Sequence, residues 1–229
     1  LAPYDVSLGN FTGGGVNAVT RSGTNKFEGS AYFFGRNQNT VGRNAITNAR
    51  STKFMNNQYG FRFGGPIIKD KLFFSVAYEK LEGANTFNLD QTIGTGNFQV
   101  SQAELDRISE ISNRVYQYNP GTTPSSFANA DEKILVKLDW NINDQHRAAF
   151  TYNYNDGFNT VRSDGDSDEY EFSNHLYNRG SKLESISGAI YSDWTDNFST
   201  EVRVGYLDLE NDVRSIGGND FGEIQIRTD

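Results

Sequence analysis

From Phe27 onward the chain alternates apolar and polar residues with a period of two, the pattern of strands whose successive side chains point to opposite faces of a sheet. Seven segments carry it. In the first, Phe27, Gly29, Ala31 and Phe33 share one face, opposite Glu28, Ser30, Tyr32, Phe34 and Arg36. In the second, Tyr59, Phe61 and Phe63 oppose Gly60, Arg62 and Gly64, and Pro66 closes the strand where a missing N–H is tolerated. The third sets Phe74, Val76 and Tyr78 against Ser75, Ala77 and Glu79. The fourth sets Ile134, Val136, Leu138 and Trp140 against Lys137, Asp139 and Asn141, and the fifth sets Ala148, Phe150, Tyr152 and Tyr154 against Thr151, Asn153 and Asn155. The sixth, over 183–194, is weaker, with Ile186, Gly188 and Ile190 on its apolar face. The seventh places Phe198, Val202, Val204 and Tyr206 opposite Glu201, Arg203 and Gly205.

Parity then constrains the turns, because a slip of one residue moves every side chain to the other face. Between the second and third segments the apolar set passes from odd to even numbers, which requires an even loop such as Lys69-Asp70. The fourth and fifth, and the sixth and seventh, keep even sets, so their loops are odd: Asn143-Asp144-Gln145 and Thr195-Asp196-Asn197. The former pairs Leu138 with Phe150. Long loops are expected at about 37–55, 83–131 and 158–180. Within the second of these, Ser101-Gln102-Ala103-Glu104 matches a capping box, and Leu105, Ile108, Ile111 and Val115 follow at helical spacing. One amphipathic helix is predicted there, stopped by Asn119-Pro120-Gly121 and burying its stripe on its own loop.

Short turns alternating with long connections are the habit of bacterial outer-membrane barrels, and soluble sandwiches show it less regularly. Trp140 and Trp194 lie at the short-turn ends of the apolar faces, whereas Tyr59, Tyr78, Tyr154 and Tyr206 lie at the long-loop ends. Amphipathic rings at both margins of an apolar band suit the two interfaces of a bilayer. The fold expected is therefore all-β, an antiparallel transmembrane β-barrel segment of about seven long strands. Its lipid-facing and girdle side chains would be Tyr59, Phe61, Phe63, Val76, Tyr78, Leu138, Trp140, Phe150, Tyr152, Trp194, Val202, Val204 and Tyr206. Arg62, Glu79, Lys137, Asp139, Glu201 and Arg203 would line a wet lumen. Two alternatives stay open: a soluble or surface β-sandwich that binds glycans or proteins through its loops, and a passive porin-like or adhesive barrel.

Composition narrows the partners. With 29 acidic against 21 basic residues, a net charge of −8 and a pI near 4.8, the chain lacks the basic face of a nucleic-acid binder, and docking on anionic lipid is disfavoured. The absence of cysteine removes disulfides and thiolate metal sites. A mean hydropathy of −0.63 and the lack of a long apolar run exclude a transmembrane helix but not a barrel, whose strands face lipid with every second residue. Leu1-Ala2-Pro3 has no leader character, so an internal or processed segment is expected. Asp164, Asp166 and Asp168 alternate in an acidic run that could offer oxygen ligands to a loop-stabilising Ca²⁺, but the run lacks the glycine and closing glutamate of an EF-hand and fits a solubilising loop tip better. His146 and His175 lie on separate segments and read as surface residues. No nucleophile elbow, zincin pattern, Walker loop or dinucleotide fingerprint occurs, so neither enzyme activity nor a further cofactor is expected.

Residues 13–36 read GGGVNAVTRSGTNKFEGSAYFFGR: three glycines, a short apolar strand over 16–20, a polar linker and the first aromatic strand. This order resembles the plug-to-barrel junction of TonB-dependent outer-membrane transporters, in particular the Oar-like branch. Residues 57–79 resemble that branch's second and third barrel strands, and 133–155 its fourth and fifth. The resemblance implies that 1–25 is the end of a plug domain with its linker, the junction marked by Gly13, Gly14, Gly15, Asn17, Val19 and Thr20. It makes 26–229 the first part of a plugged barrel of about 22 strands in the outer membrane of a Gram-negative bacterium. Outer-membrane lipid, a TonB complex acting through the plug and an unidentified bulky extracellular substrate are the implied partners, for energised uptake or export. Seven strands cannot close such a barrel, so a fragment of a longer protein is expected.

Overall fold

Each alternating segment pairs with its neighbour in sequence. The computed structural model describes residues 20–43, 45, 46, 48, 50, 51, 53–86, 100–124, 126–163, 169–220 and 222–227. Its strands are β1 (Glu28–Asn37), β2 (Met55–Ile68), β3 (Leu72–Thr86), β4 (Ser126–Asn141), β5 (His146–Val161), β6 (Tyr177–Thr195) and β7 (Phe198–Ser215). They form one seven-stranded antiparallel sheet in the order β1-β2-β3-β4-β5-β6-β7. The sheet is unclosed, with β1 and β7 outermost among the described residues. Gly13, Gly14, Gly15, Asn17 and Val19 of the expected plug strand, and Asp164, Asp166 and Asp168 of the acidic run, lie outside the described residues.

Register follows the apolar faces. Leu138 stands opposite Phe150, as parity requires, and one row runs Phe63, Val76, Val136, Tyr152, Ile186, Tyr206 across six strands. A parallel row runs Phe74, Leu138, Phe150, Gly188, Val204. Aromatic rings knit the first strands together: Phe27 stacks on Phe63 at 5.9 Å, and Phe63 meets Phe74 at 5.6 Å. Gly65 is glycine because a Cβ there would enter the ring of Phe27.

Two of the three tight turns depart from the lengths expected, and in both a bulge keeps the parity. Between β2 and β3 the loop has three residues, Lys69-Asp70-Lys71, with Asp70 left-handed at φ 63°, instead of the pair Lys69-Asp70. Ile67, bulged between Pro66 and Ile68, supplies the compensating step. Between β6 and β7 Thr195 already pairs with Phe198, so the loop is Asp196-Asn197 and Trp194 is the bulged residue. Its Nε1–H donates to Thr200 Oγ1 at 2.9 Å and its ring meets His146 edge-on at 4.9 Å. The β4–β5 turn keeps the expected Asn143-Asp144-Gln145, closed by the Ile142 N–H donating to His146 O at 2.9 Å.

The long loops differ in extent, because the strands run on past their apolar stretches. β3 continues to Thr86 and β4 starts at Ser126, so the second connection is 87–125 and not 83–131. The third is 162–176 and not 158–180. β6 has 19 residues and β7 has 18, whereas about 9–11 suffice to cross a bilayer. The 38–54 connection matches expectation.

Beyond the strands the loops pack on one another. Helix α1 (Gln102–Tyr116) begins with the expected capping box: Ser101 Oγ accepts from the Glu104 N–H, and Glu104 accepts from the Ser101 N–H at 2.7 Å. Leu105 of its stripe is buried, whereas Val115 is exposed. The helix ends earlier than the Asn-Pro-Gly signal, at Gln117, left-handed at φ 54°, with the Tyr118 N–H returning to Ser112 O at 3.0 Å. The third loop then joins the segment after α1, where Ser173 N donates to Thr122 O at 2.8 Å and Asn174 N to Pro120 O at 3.1 Å. Under this contact Arg162 pairs with Glu171 at 3.2 Å, their side chains 9% and 5% exposed, and Leu176 is buried.

Ser101→Ala removes one half of the capping box and should destabilise α1 by about 1 kcal/mol. Amide exchange over 102–116 should accelerate while exchange in β3 and β4 stays unchanged; uniform rates in all three would contradict the capping role. The two Ser101 donors hold the Glu104 carboxyl below its ordinary value. The sign follows: this contribution is present above the ordinary glutamate range and is lost as pH falls through that range into the lowered folded value.

Candidate functional site: the polar face and the linker

The even-numbered residues of β3 to β7 and the odd-numbered residues of β2 form the apolar face, and the alternate residues form a polar one. On the polar face the structure gathers a charge cluster from β1, β3 and β4. Glu79 accepts a short hydrogen bond from the Tyr32 hydroxyl and pairs with Lys133 at 2.9 Å, and Lys133 also reaches Asp131 at 3.2 Å. Lys137 pairs with Asp139 at 3.4 Å, two residues along the same strand. Arg62 lies between Ser30 and Ala77 in register on the same face. Glu201 and Arg203 pair with each other on the outer strand β7, away from this cluster. Three members are not anticipated from the sequence: Tyr32 as a partner, Asp131 and Lys133. Their numbers were the only signal, since 131 and 133 extend the odd-numbered face of β4 upstream.

The linker lies against this face. Lys137 Nζ donates to Ser22 Oγ at 2.8 Å, and the Lys137 side chain is only 14% exposed. Gly23 fits because it has no Cβ, which would otherwise collide with the Phe74 carbonyl oxygen and the Phe73 side chain. Asn25 then grips the β2–β3 turn with both ends of its amide. Its Nδ2 donates to Asp70 Oδ1 at 2.5 Å, and its Oδ1 accepts from the Asp70 N–H at 2.8 Å. The left-handed backbone of Asp70 aims that N–H outward from the hairpin. Asn141 Nδ2 donates to the Asp70 carbonyl at 3.3 Å, so the same turn is held from β4. Thr20, at the start of the described linker, lies outside any strand.

On the apolar face, hydrophobicity ends at a line of tyrosines. Past Tyr78, Ile134, Tyr154, Ile186 and Tyr206 the next residues on that face are Lys80, Glu132, Asp156, Glu184 and Asp208. The hydroxyls reach across the line: Tyr78 donates to Glu132 at 2.7 Å and Tyr152 to Glu184 at 3.0 Å. The line crosses the register rows obliquely, one row further out on β3 than on β7. A flat boundary cut through strands that tilt in a barrel wall does this. Beyond the line the opposite face inverts on β3, β6 and β7, with Leu81, Leu183, Leu207 and Leu209 on the formerly polar side, whereas β4 and β5 keep Asp131, Asn129, Asn155 and Asn159 there. Among the described residues no group of three or more His, Asp or Glu could hold a metal ion.

An antiparallel meander with alternating faces, tight turns at one end and an apolar band edged by tyrosine defines an outer-membrane β-barrel protein. Residues 19–227 match the family described as outer membrane beta barrel domain, and the chain belongs to it. Its place is the outer membrane of a Gram-negative bacterium. Among curated proteins it is similar to the TonB-dependent transporter Oar of Myxococcus xanthus, 28% identical over 169 residues. The match covers 66% of this chain and 14% of that protein. No solved structure matches it.

Asn25→Asp places a second carboxylate against Asp70 and removes the amide donor. Trypsin should then cut the linker at Arg21 or Lys26 of the full-length protein several-fold faster, with the strands still resistant; an unchanged cleavage rate would refute the clamp.

Proposed function

We propose that this chain is the plug-exit linker and the first seven wall strands of a TonB-dependent outer-membrane transporter that moves a bulky substrate through a plugged barrel. The observation that carries the reading is the contact between Ser22 and Lys137. A polypeptide that enters the wall from a plug must come from inside the lumen, and the linker arrives on the polar face. The apolar set, from Tyr59, Phe61 and Phe63 through Val76, Leu138 and Phe150 to Val202 and Val204, then faces lipid, with Trp140 and Trp194 at the periplasmic interface and Tyr78, Tyr154 and Tyr206 at the outer one. Arg62, Glu79, Lys137 and Asp139 face the lumen, and the tight turns lie in the periplasm. The folded loop layer of α1 and 169–176 stands outside the cell, over the mouth.

The roles within transport follow from position. Residues up to about 25 end the plug, and the Asn25–Asp70 clamp holds the linker to the rim. Force applied upstream by TonB would thus be resisted at the β2–β3 turn and would not peel β1 from β2. Polar side chains along the wall keep the passage wet and give the plug hydrogen-bonding partners that exchange readily with water.

Single cysteines in the full-length protein test the sidedness. In outer-membrane fragments a membrane-impermeant maleimide should label Arg62→Cys and spare Val76→Cys; the reverse pattern would overturn the assignment. Coupling is tested separately: the periplasmic domain of TonB should bind the full-length protein, and failure to bind would leave a passive barrel.

A further inference from the structure

Of the large apolar side chains, those buried most completely among the described residues are Leu176, Leu105 and Phe54, and all three belong to the long connections, none to the sheet. Connections ordinarily run over a surface in contact with water, so a core among them marks a built layer. Its centre is the segment 173–176, which is paired along both edges. On one edge the Ser173 and Asn174 N–H groups donate to the Thr122 and Pro120 carbonyls at 2.8 and 3.1 Å. On the other the Asn174 and Leu176 carbonyls accept from the Gly217 and Ile216 N–H groups at 3.1 and 2.9 Å.

Side chains seal the first edge. Ser173 Oγ accepts from the Thr122 N–H at 2.9 Å, Asn174 Nδ2 donates to the Asn119 carbonyl at 2.8 Å, and the Tyr170 hydroxyl donates to the Pro124 carbonyl at 3.3 Å. Gly121 is left-handed at φ 88°, and a Cβ there would run into Ser173 Oγ and the Asn174 amide. The segment is also fixed to the end of β5. The Glu171 carboxylate accepts from the Ser163 N–H at 3.0 Å and pairs with Arg162, and both side chains of that pair are nearly buried. Pulling it apart would leave a buried charge uncompensated, so the base of the segment is held as firmly as its edges.

Topology gives these contacts their reach. The connection that carries α1 joins β3 to β4, the one that carries 173–176 joins β5 to β6, and 216–217 follow β7. One short segment therefore ties together the ends of five strands that are neighbours in the sheet. It cannot lift without breaking both edges at once. We propose that the connections after β3 and β5 and the segment after β7 form a single brace that moves as one body, so that α1 and 169–176 are not independent lids over the mouth. A substrate then meets a surface already formed, with the ordering cost met on folding and not on binding. The inference takes from the proposed sidedness only that this brace lies at the outer rim, and it goes beyond the transport reading.

Hydrogen exchange of the full-length protein in nanodiscs tests it. In the native protein the amides of 173–174 and 216–217 should exchange slowly and at matching rates. Gly121→Val places a Cβ in the first edge alone, yet in a single body both edges should open. Exchange should then accelerate about tenfold or more at 216–217 as well as at 173–174, with β3 and β4 unchanged. Asn174→Ala, a milder lesion of the same edge, should raise both in the same proportion, each variant being checked for barrel folding by its heat-modifiable gel shift. Acceleration confined to 173–174 would show separate loops and overturn the proposal. Fast exchange at these amides in the native protein, or no change in either folded variant, would overturn it equally. Binding of the periplasmic domain of TonB bears on the transporter reading alone: its loss with both edges still coupled leaves the brace standing.

Discussion

The structure depends on one constraint: every strand must pair along both edges while keeping its apolar residues on a single face. In a bilayer an unpaired N–H or C=O has no water to turn to, so pairing must be complete, and a side-chain period of two leaves no tolerance for slippage. Parity therefore governs the hairpins more strictly than turn chemistry does. The two bulges show how it is met. The three-residue loop after β2 and the two-residue loop after β6 would each invert the following strand, and Ile67 and Trp194 restore it. At Trp194 the bulge also places the indole where it holds Thr200 and the ring of His146.

The same constraint makes the faces informative about surroundings. Along β3 to β7 the apolar face turns charged at one oblique line, on β3, β6 and β7 the opposite face turns apolar beyond it, and Tyr78, Tyr152 and Tyr154 stand there with hydroxyls turned to carboxylates. On the proposed sidedness, lipid would solvate the apolar face inside the line and water the charged face outside it. The strands continue as strands across the line since their ladder is indifferent to the solvent on either side. The linker contacts at Lys137 and Phe73 fall on the opposite, polar face, which the proposed sidedness turns inward.

Much of this was legible in the sequence. The meander, the odd and even sets, the pairing of Leu138 with Phe150 and the capping box of α1 all follow from local periodicity, which reads residues a few positions apart. The bulges were not legible, because parity counts loop and bulge residues together and cannot divide them. Strand ends were underestimated for a related reason: past the tyrosines the alternation persists but its sense inverts, so Lys80 and Glu82, or Asp208 and Glu210, read as loop. The grip of Asn25 on Asp70 and of Lys137 on Ser22 joins residues 45 and 115 positions apart, and no local pattern announces it. Lys133 joins the cluster around Glu79 only because β4 begins well before Ile134.

The central claim is that the polypeptide enters the barrel wall along its inner, polar face. A short bis-maleimide bridge between cysteines at 22 and 137 of the full-length protein in native outer membranes measures it most directly. Residues 22 and 137 should cross-link efficiently, and a matched pair at 22 and 138, whose second site points to the apolar face, should not. Efficient bridging of 22 to 138 with none to 137 would place the linker outside the wall and contradict the account.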